Sequence, residues 1–328
     1  MKPEEEATVE VAPGLHRIEA PLGERFVCLY LLIGEERALL IDTGVAGTPQ
    51  AALLPYLATI GVDPRRIAYV LITHADFDHS GGNGDVREMA PDARFLCHEL
   101  DRPQIESIDR MVVERYGEFA ADHGIDESNE TKTFMRAQQR DVPIDIGLTG
   151  GERIRLGPDW HVDVLHTPGH SRGHLSVYDP RSRSAVIADA ALWNAVFTKA
   201  GDPAFPPTYR YVDTYLATIH RLQGMPIDTL LTSHYPIARG GGVAEFLGES
   251  RAYVDRVDDA LRQELARSGD AMTMRELTTA LGPRLGMWPD AASVYLVHPL
   301  QGHLERLLGR GAVTADRRDG LVAWRAVG

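Results

Sequence analysis

The sequence contains few cysteines and no long apolar run. Only two of its 328 residues are cysteines, Cys28 and Cys97. A disulfide framework is therefore excluded, and we expect two buried, reduced thiols. No run of about 18 uncharged apolar residues occurs, so we expect no segment that spans a bilayer. The first ten residues, MKPEEEATVE, are acidic and contain no apolar stretch that would indicate a secretory signal. Together these features predict a cytoplasmic protein.

Positive charge is also scarce. The chain has 34 Lys and Arg residues against 47 Asp and Glu residues, which gives a formal net charge of −13. The basic residues are scattered among acidic ones, and such a chain repels phosphate backbones. We therefore expect no nucleic-acid partner. Hydrophobic residues at 44% and charged residues at 25% are ordinary for a globular protein and exclude a disordered or fibrous one.

Short apolar or alternating runs predict strands in two successive sets, separated and followed by helices. The first set comprises residues 14–19, 26–33, 37–42 and 67–73, and the second comprises residues 153–156, 161–166, 175–178, 185–188 and 229–232. Helical spacing of apolar residues occurs at 48–60 and 213–222. This alternation predicts a layered α/β architecture.

Two other parts of the chain have a different character. Residues from about 99 to 145 are charged and helical in period, which indicates a helical insertion within a domain of residues 1–249. Residues 250–328 contain three predicted helices, at 251–268, 273–281 and 291–308, followed by a short hairpin. This order is typical of a winged-helix module. The module has 11 basic and 10 acidic residues, so its charge predicts no useful affinity for DNA or RNA.

Side chains that bind metals are concentrated directly after the predicted strand at 67–73. His74, Asp76, Asp78 and His79 lie within six residues and are followed by Ser80-Gly81-Gly82. Residues 74, 76 and 78 alternate, so an extended loop can direct three side chains into one space. Imidazole and carboxylate groups are the ligands of zinc, iron and manganese in hydrolytic sites. The pattern therefore predicts a metal site at the end of this strand.

Three later predicted strands also end in a residue that can bind a metal: His170 in HTPGHSRGH, Asp189 in VIADA and His234 in LTSHYP. Together with LLIDTG and THADFDHSGG, these motifs resemble, in this order, the metal motifs of the metallo-β-lactamase fold hydrolases. The resemblance covers about residues 10–245. It implies a four-layer αββα sandwich, and the tail is similar to the winged-helix module of glyoxalase II-like hydrolases and lactamase-like endoribonucleases.

The resemblance also implies a centre of two divalent metal ions, with Zn²⁺ favoured. The implied ligands are His74, Asp76 and His170 for the first metal, Asp78, His79 and His234 for the second, and Asp189 as a bridge between the two. Asp42, in LLIDTG, is expected either to orient a ligand from behind or to cap buried backbone N–H groups. His174 is interpreted as a polar residue that begins the next strand rather than as part of the site.

Asp76 departs from the family pattern, which is usually HxHxDH. Aspartate is shorter than histidine and contributes a negative, hard oxygen ligand, which favours iron or manganese over zinc at the first metal. We therefore expect the site of Asp78, His79, Asp189 and His234 to fill first and the Asp76 site to be weaker, or to prefer iron or manganese.

The implied activity is hydrolysis of a small ester, lactone or thioester by a metal-bound hydroxide, because paired metals make hydroxide available near neutral pH. Asp78 or Asp189 is expected to accept a proton, and Tyr235 or Tyr209 to donate to a developing oxyanion. Alternatives are a phosphodiesterase or nuclease of the same fold, an iron-based redox protein similar to flavodiiron enzymes, and a metal-free regulator.

The substrate is expected to be a small molecule with an apolar part. Residues 192–197 and 203–211 are rich in aromatic residues and proline, although Trp193 and Phe197 fit a core position equally well. In the insertion, one stripe is expected to roof the mouth of the site and to contribute to a homodimer. Its members are Met111, Val112, Tyr116 and Phe119.

Overall fold

Two β-sheets packed face to face form the centre of the molecule. The computed structural model describes residues 8–327. The first sheet contains seven strands in chain order: β1 Thr8–Ala12, β2 Leu15–Leu22, β3 Arg25–Ile33, β4 Ala38–Ile41, β5 Ile67–Leu71, β6 Arg94–His98 and β7 Ile146–Leu148. Strands β1 to β4 pair antiparallel, and β4 to β7 pair parallel.

The second sheet has the order β15-β14-β11-β10-β9-β8. Its strands, together with a small hairpin of β12 and β13, are β8 Arg153–Gly157, β9 Trp160–His166, β10 Leu175–Asp179, β11 Ser184–Ala188, β12 Val196–Phe197, β13 Pro203–Phe205, β14 Thr229–Thr232 and β15 Ala238–Arg239. Within this sheet β11 and β14 pair parallel.

Helices cover the outer faces of both sheets. The α-helices are α1 Leu54–Thr59, α2 Phe77–Ser80, α3 Asn83–Met89, α4 Arg102–Ile105, α5 Ile108–Met111, α6 Ala120–His123, α7 Asn129–Ala137, α8 Val212–Gln223, α9 Gly241–Ser268, α10 Met274–Leu285 and α11 Val297–Gly309. There are also π-helical turns at Pro49–Leu53 and Val112–Tyr116, and 3₁₀ turns at Pro64–Arg66 and Asp290–Leu296. None of the helices in the described part of the chain combines the length and the apolar character that crossing a bilayer requires.

Three clusters of buried apolar residues fill the spaces between the layers. The cluster between the sheets contains Leu39 of the first sheet and Val164 of the second. A second cluster joins the outer face of the first sheet to α1 and α3, for example through Leu57. A third joins the second sheet to α8 and the C-terminal helices, for example through Leu261. This arrangement is the predicted αββα sandwich. Cys28 and Cys97 are both buried and free.

The sheet topology brings the predicted metal ligands to one edge. Strand β4 is buried throughout, as its all-apolar sequence ALLI predicts, and it lies parallel to β5. Asp42 follows β4 and His74 follows β5, so the two residues leave the first sheet on the same side. Asp189 and His234 follow the parallel strands β11 and β14 of the second sheet. Residues that follow parallel strands meet at the carboxyl edge of a sheet.

Helices α4 to α7 form the insertion between β6 and β7. The apolar stripe predicted there contacts the body of the same chain. Met111 and Val112 are buried in the cluster outside the first sheet, whereas Phe119 belongs to the cluster outside the second. The contribution of the stripe to a homodimer stays a prediction.

The C-terminal part consists of α9 to α11 and a three-stranded sheet in the order β16-β18-β17, with β16 at Met272–Thr273, β17 at Val313–Arg318 and β18 at Leu321–Ala326. Helix α9 begins at Gly241, ten residues before the predicted start, and runs through the predicted boundary at residues 249 and 250. The C-terminal helices share one apolar cluster with the second sheet. The winged-helix assignment stays a prediction.

A buried histidine joins the C-terminal helices to the segment that precedes α8. Nδ1 of His303 in α11 lies 3.1 Å from Asp258 of α9, and Nε2 lies 3.0 Å from the Tyr209 hydroxyl. Burial lowers the pKa of His303, and the hydrogen bond from His303 holds the pKa of Asp258 well below its usual value. Because both groups have lowered pKa values when folded, their contribution to stability is present at neutral pH and is lost as the pH falls.

We therefore expect the urea midpoint of unfolding to decrease as the pH falls below 6.5, the ordinary pKa of histidine, towards 3.8, that of aspartate. His303→Gln should make this pH dependence shallower. His220→Gln on the exposed face of α8 should leave it unchanged. Equal slopes in the wild type and His303→Gln would contradict this interpretation.

Candidate metal centre

Four strand ends supply the seven predicted ligands. The loop after β5 supplies four of them, and β9, β11 and β14 each lead to one. The ligand atoms form overlapping groups in which all atoms lie within 4.8 Å of one another: His74, Asp76 and His170; Asp78, His79 and His234; and His74, His79 and Asp189. The structure therefore brings together every ligand that the resemblance implies.

Asp189 lies between the two predicted sites. Its Oδ2 is 4.0 Å from Nε2 of His74, 3.8 Å from Nε2 of His79 and 3.4 Å from Nε2 of His234. Asp78 completes the second site, with Oδ2 3.6 Å from Nε2 of His234. These separations place imidazole nitrogens and carboxylate oxygens around a common space, as expected of residues that bind a divalent metal.

Several buried atoms that face this space have no hydrogen-bond partner. Within residues 8–327, Nε2 of His74, Nε2 of His79 and Oδ1 of Asp189 are buried and form no hydrogen bond. Buried polar atoms are nearly always satisfied, so unpaired ones that converge need an explanation. A divalent cation supplies it, because each of these atoms offers a lone pair. The residues present therefore fit a metal ion.

Asp42 orients His79 from behind. Its Oδ2 accepts a hydrogen bond from Nδ1 of His79 at 2.8 Å, while Thr73 donates its backbone N–H and its hydroxyl to the same carboxylate. Although burial lowers the pKa of His79, the charges of Asp42, Asp78 and Asp189 raise it to about 10, so a metal ion that binds Nε2 would displace a proton from it. Asp42 has a φ of 60°, a strained conformation for a residue other than glycine. Asp42 therefore makes both of the predicted contacts: it holds His79 and it caps the buried backbone N–H of Thr73.

Backbone carbonyls orient two other ligands in the same way. Nδ1 of His170 lies 3.2 Å from the carbonyl of Thr208, and Nδ1 of His234 lies 2.9 Å from that of Phe26. Hydrogen bonds of this kind fix the tautomer that leaves Nε2 free to bind a metal.

His174 contributes more than its predicted place at the start of a strand. Its Nε2 accepts a hydrogen bond from the backbone N–H of Asp189 at 3.2 Å, and its ring stacks on His74 with centroids 4.9 Å apart. Burial and the neighbouring histidines hold its pKa well below the usual value, so the ring is neutral. His174 positions Asp189 rather than binding a metal itself.

The predicted roles of the two tyrosines need correction. The Tyr235 hydroxyl donates to the backbone carbonyl of Leu192 at 2.7 Å and also lies 2.9 Å from that of Ala195, while the side chain is buried. The Tyr209 hydroxyl lies against His303. Both rings point into the cluster outside the second sheet, because their chain segments pack against α8 and α9. Neither hydroxyl is placed to stabilise an oxyanion.

The aromatic residues after Asp189 are partly buried and pack against the cluster outside the second sheet. Trp193 meets Phe246 of α9 edge to face, with ring centroids 5.3 Å apart. Phe197 contacts Tyr235. The interpretation of Trp193 and Phe197 as packing residues therefore fits the structure better than a substrate role.

Sequence reasoning missed two residues of the insertion that contact Asp76. Nε of Arg115 lies 2.5 Å from Oδ1 of Asp76, and Nη2 lies 2.8 Å from Oδ2 and 2.8 Å from Nε2 of His170. The Tyr116 hydroxyl donates to Oδ1 of Asp76 at 2.9 Å. Although burial raises the pKa of Asp76, the Arg115 charge lowers it well below the usual range. Tyr116 belonged to the predicted stripe, but no sequence signal distinguished Arg115 among the basic residues.

The metal centre opens into a cavity of about 350 Å³. Its apolar wall comes from four separate parts of the chain: Phe119 and Ile125 of the insertion, Leu192 and Val196 after β11, Phe205 of β13, and Val294 and Val297 of the C-terminal part. Asp78, Asp189 and His234 lie at the polar end. The segments predicted to line the pocket, 192–197 and 203–211, do so, and the C-terminal contribution is an addition to that prediction.

His298 of α11 is a polar residue of the C-terminal wall, as is Tyr295. Its ring meets Phe119 edge to face at 4.9 Å, and its Nδ1 is buried without a hydrogen-bond partner in the described part of the chain. Burial lowers the pKa of His298 to about 3. The ring is therefore neutral at physiological pH.

An αββα sandwich with a His/Asp metal centre at the carboxyl edge of its strands defines a class of metal-dependent hydrolases. The family profile described as the metallo-beta-lactamase superfamily matches residues 22–234, and the chain belongs to that superfamily. The predicted fold and the predicted class of enzyme are confirmed by this match.

Individual proteins resemble this chain over different lengths. A probable metallo-hydrolase of Bacillus subtilis, YqgX, is 27% identical over 66% of this chain and 88% of its own. The human acyl-coenzyme A thioesterase MBLAC2 is 28% identical over 46% of this chain and 53% of its own. Among solved structures, the metallo-beta-lactamase family protein TTHA1429 of Thermus thermophilus has a TM-score of 0.74 at 24% identity, covering 97% of this chain and 100% of its own.

Proposed function

We propose that this metal-dependent hydrolase cleaves a small thioester, lactone or ester whose acyl part is apolar. The observation that carries the proposal is the cavity itself, which joins the His/Asp cluster to apolar walls. The names of similar proteins support the same class: they include an acyl-coenzyme A thioesterase, an N-acyl homoserine lactonase and a hydroxyacylglutathione hydrolase. All three names describe hydrolysis of an acyl bond.

The second predicted site fits a divalent ion well, with Asp78, His79, Asp189 and His234 as its ligands. When bound there, such an ion supplies Lewis-acid polarisation of a carbonyl and lowers the pKa of water towards neutrality. The sequence predicts a second ion at His74, Asp76 and His170. Its binding depends on Arg115, which already occupies the Asp76 carboxylate.

The chain's own residues supply binding and proton transfer. Asp78 lies at the polar end of the cavity, and we propose it as the group that accepts a proton during attack on the carbonyl. Phe119, Leu192 and Val196 exclude water from the acyl group. Arg25 lines the same cavity, where its guanidinium lies 4.8 Å from the centre of the Phe205 ring and offers positive charge to a polar part of the substrate.

A substrate panel tests the proposal. Zinc-loaded protein of measured metal content would be assayed against acyl thioesters, N-acyl lactones, simple esters, β-lactams and phosphodiesters. We expect hydrolysis in the first three groups, with kcat/KM increasing with acyl length until the cavity is full, because each buried methylene contributes about 0.8 kcal/mol. Preference for a phosphodiester or a β-lactam would overturn the proposed substrate class.

Narrowing the cavity should shorten the acyl chains that are accepted. Val294 lies on the 3₁₀ turn Asp290–Leu296 and lines the cavity, so Val294→Trp is expected to lower kcat/KM for an eight-carbon acyl substrate about tenfold, the equivalent of nearly two buried methylenes. Acetyl substrates should be affected much less. Ala291→Trp, at an exposed position of the same turn, is the matched control and should change neither. A uniform loss across chain lengths would show that Val294 does not contact the acyl group.

A further inference from the structure

The guanidinium of Arg115 occupies ligands of the first predicted metal site. It contacts both carboxylate oxygens of Asp76, and Nη2 also lies 2.8 Å from Nε2 of His170. Two of the three implied ligands of the first metal are therefore paired with a cation that belongs to the chain. The second site has no equivalent, since no arginine or lysine in the described residues forms an ion pair with Asp78 or Asp189.

This contact is held firmly by the insertion. Arg115 lies on the π-helical turn Val112–Tyr116, and its side chain is 11% exposed. Val112 anchors the turn in the core. The adjacent Tyr116 hydroxyl donates to Asp76 and accepts the backbone N–H of Phe77 at 3.2 Å. Besides the Arg115–Asp76 pair, two hydrogen bonds of Tyr116 thus connect this turn to the metal-binding loop.

The charge of the two sites also favours a metal ion at the second site over one at the first. Apart from Asp189, which faces both sites, the first site has one carboxylate, Asp76, which Arg115 neutralises, and two histidines. The second site has Asp78, which no arginine or lysine of the described residues pairs with, so Asp78 and Asp189 together carry two negative charges that one divalent ion would balance. Burying a further divalent charge beside Arg115 is unfavourable, because like charges repel strongly where water is excluded.

The type of side chain at position 76 agrees with this difference in charge between the two sites. An arginine pairs with a carboxylate through two parallel hydrogen bonds, a geometry that a histidine at position 76 would not offer. The aspartate that replaces the family's usual histidine and the nearby Arg115 therefore belong together, as the two partners of one ion pair.

We propose that Arg115 takes the place of the first metal ion, so that the protein binds one divalent ion tightly, at Asp78, His79, Asp189 and His234. His170 then contacts the guanidinium, and Nε2 of His74 lies 3.2 Å from Oδ2 of Asp76 and 4.0 Å from Oδ2 of Asp189. This inference deepens the proposed function, on which it rests for the role of the bound ion, but the number of ions is measured without any substrate.

The test is the zinc stoichiometry of the full-length protein. Metal-free protein would be titrated with Zn²⁺ by calorimetry, and bound zinc would be counted by elemental analysis after dialysis. We expect one zinc per chain, with any second equivalent bound about 100-fold more weakly or worse, a difference at the upper end of what outer ligand contacts produce. Two zinc ions of equal affinity in the wild type would overturn the proposal.

Two variants test the cause. Arg115→Met leaves Asp76 without its partner and should strengthen binding of a second zinc at least about tenfold. Asp76→His combined with Arg115→Met removes both buried charges, so it avoids an unpaired carboxylate, and it should bind two zinc ions. Arg110→Met, at an exposed position in the same insertion where Arg110 pairs with Glu114, is the matched control and should bind one. A double variant that still binds a single zinc would show that Arg115 does not determine the number.

The outcomes separate the two proposals. One zinc per wild-type chain together with no hydrolysis of any acyl substrate would refute the proposed function and leave the role of Arg115 standing. Two zinc ions of equal affinity together with hydrolysis of an acyl substrate would refute the role of Arg115 and leave the proposed function standing. Anomalous diffraction at the zinc edge would locate the ion, and density at Asp76 rather than at Asp78 would also refute the inference.

Discussion

Replacing Asp189 with asparagine should lower kcat/KM about a thousandfold or more and should weaken zinc binding. Asp189 is buried, approaches three histidine ligands and leaves one carboxylate oxygen without any hydrogen bond. The substitution removes a negative charge where a divalent ion would be held, and metal catalysis contributes several kcal/mol of transition-state stabilisation. Steady-state kinetics and zinc content would be measured on the same preparation.

The control for this variant is Asp163→Asn. Asp163 is also an aspartate of the second sheet, but it forms a surface pair with Arg153 and lies outside the cavity. It should retain normal kinetics and zinc content. Removal of zinc from the wild type with a chelator should abolish activity, and added zinc should restore it. Full activity of metal-free protein would refute the hydrolytic mechanism altogether.

Asp42→Asn should weaken zinc binding by about 10- to 100-fold, although Asp42 itself contacts no metal site. The Asp42 carboxylate accepts the Nδ1 hydrogen of His79, which leaves Nε2 as the lone-pair nitrogen facing the cluster. An asparagine can still accept the backbone N–H of Thr73, but its amide would offer a hydrogen to Nδ1. His79 would then carry its proton on Nε2, where the metal would bind.

Zinc titration of Asp42→Asn, compared with the thermal midpoint of the metal-free protein, distinguishes this effect from a loss of stability. The metal-free midpoint measures any change in stability separately: the Thr73 backbone N–H keeps its acceptor, whereas the Thr73 hydroxyl would have to accept from the new amide instead of donating. Asp63→Asn, which alters an exposed carboxylate that caps a 3₁₀ turn through Arg65, is the control. Unchanged zinc affinity in Asp42→Asn would show that Asp42 only caps the backbone.

The sequence predicts the metal ligands well because each one lies in the segment that follows a recognisable strand. A buried strand is recognisable from its apolar residues, and β4, β5, β11 and β14 all have this character. Within each sheet the carboxyl ends of parallel neighbours meet, β4 with β5 and β11 with β14, and the packing of the two sheets against each other then brings His74 to Asp189. The layered fold follows from the same runs.

The sequence does not predict which side chains of the insertion reach the site. Helical spacing identified Tyr116 and Phe119 as one face, but a periodic pattern does not say what that face contacts. Arg115 belongs to no recognisable sequence motif. Its contact with the site depends on Asp76, which is 39 residues away in the sequence. The same limit explains Tyr235: adjacency to His234 in sequence suggests a place in the site, yet successive residues of an extended segment point to opposite sides.

The cavity walls have a consequence for how substrate preference is inherited. The metal ligands all lie within residues 22–234, the stretch that matches the superfamily. Val294, Val297 and His298, which continue the wall beside Phe119, lie beyond it. All seven ligands and part of the cavity wall thus lie in the matched stretch, whereas the rest of the wall comes from the C-terminal part, which can diverge without any change in the ligands. Relatives that share the ligands but differ in their C-terminal parts would then catalyse one reaction on different acyl groups.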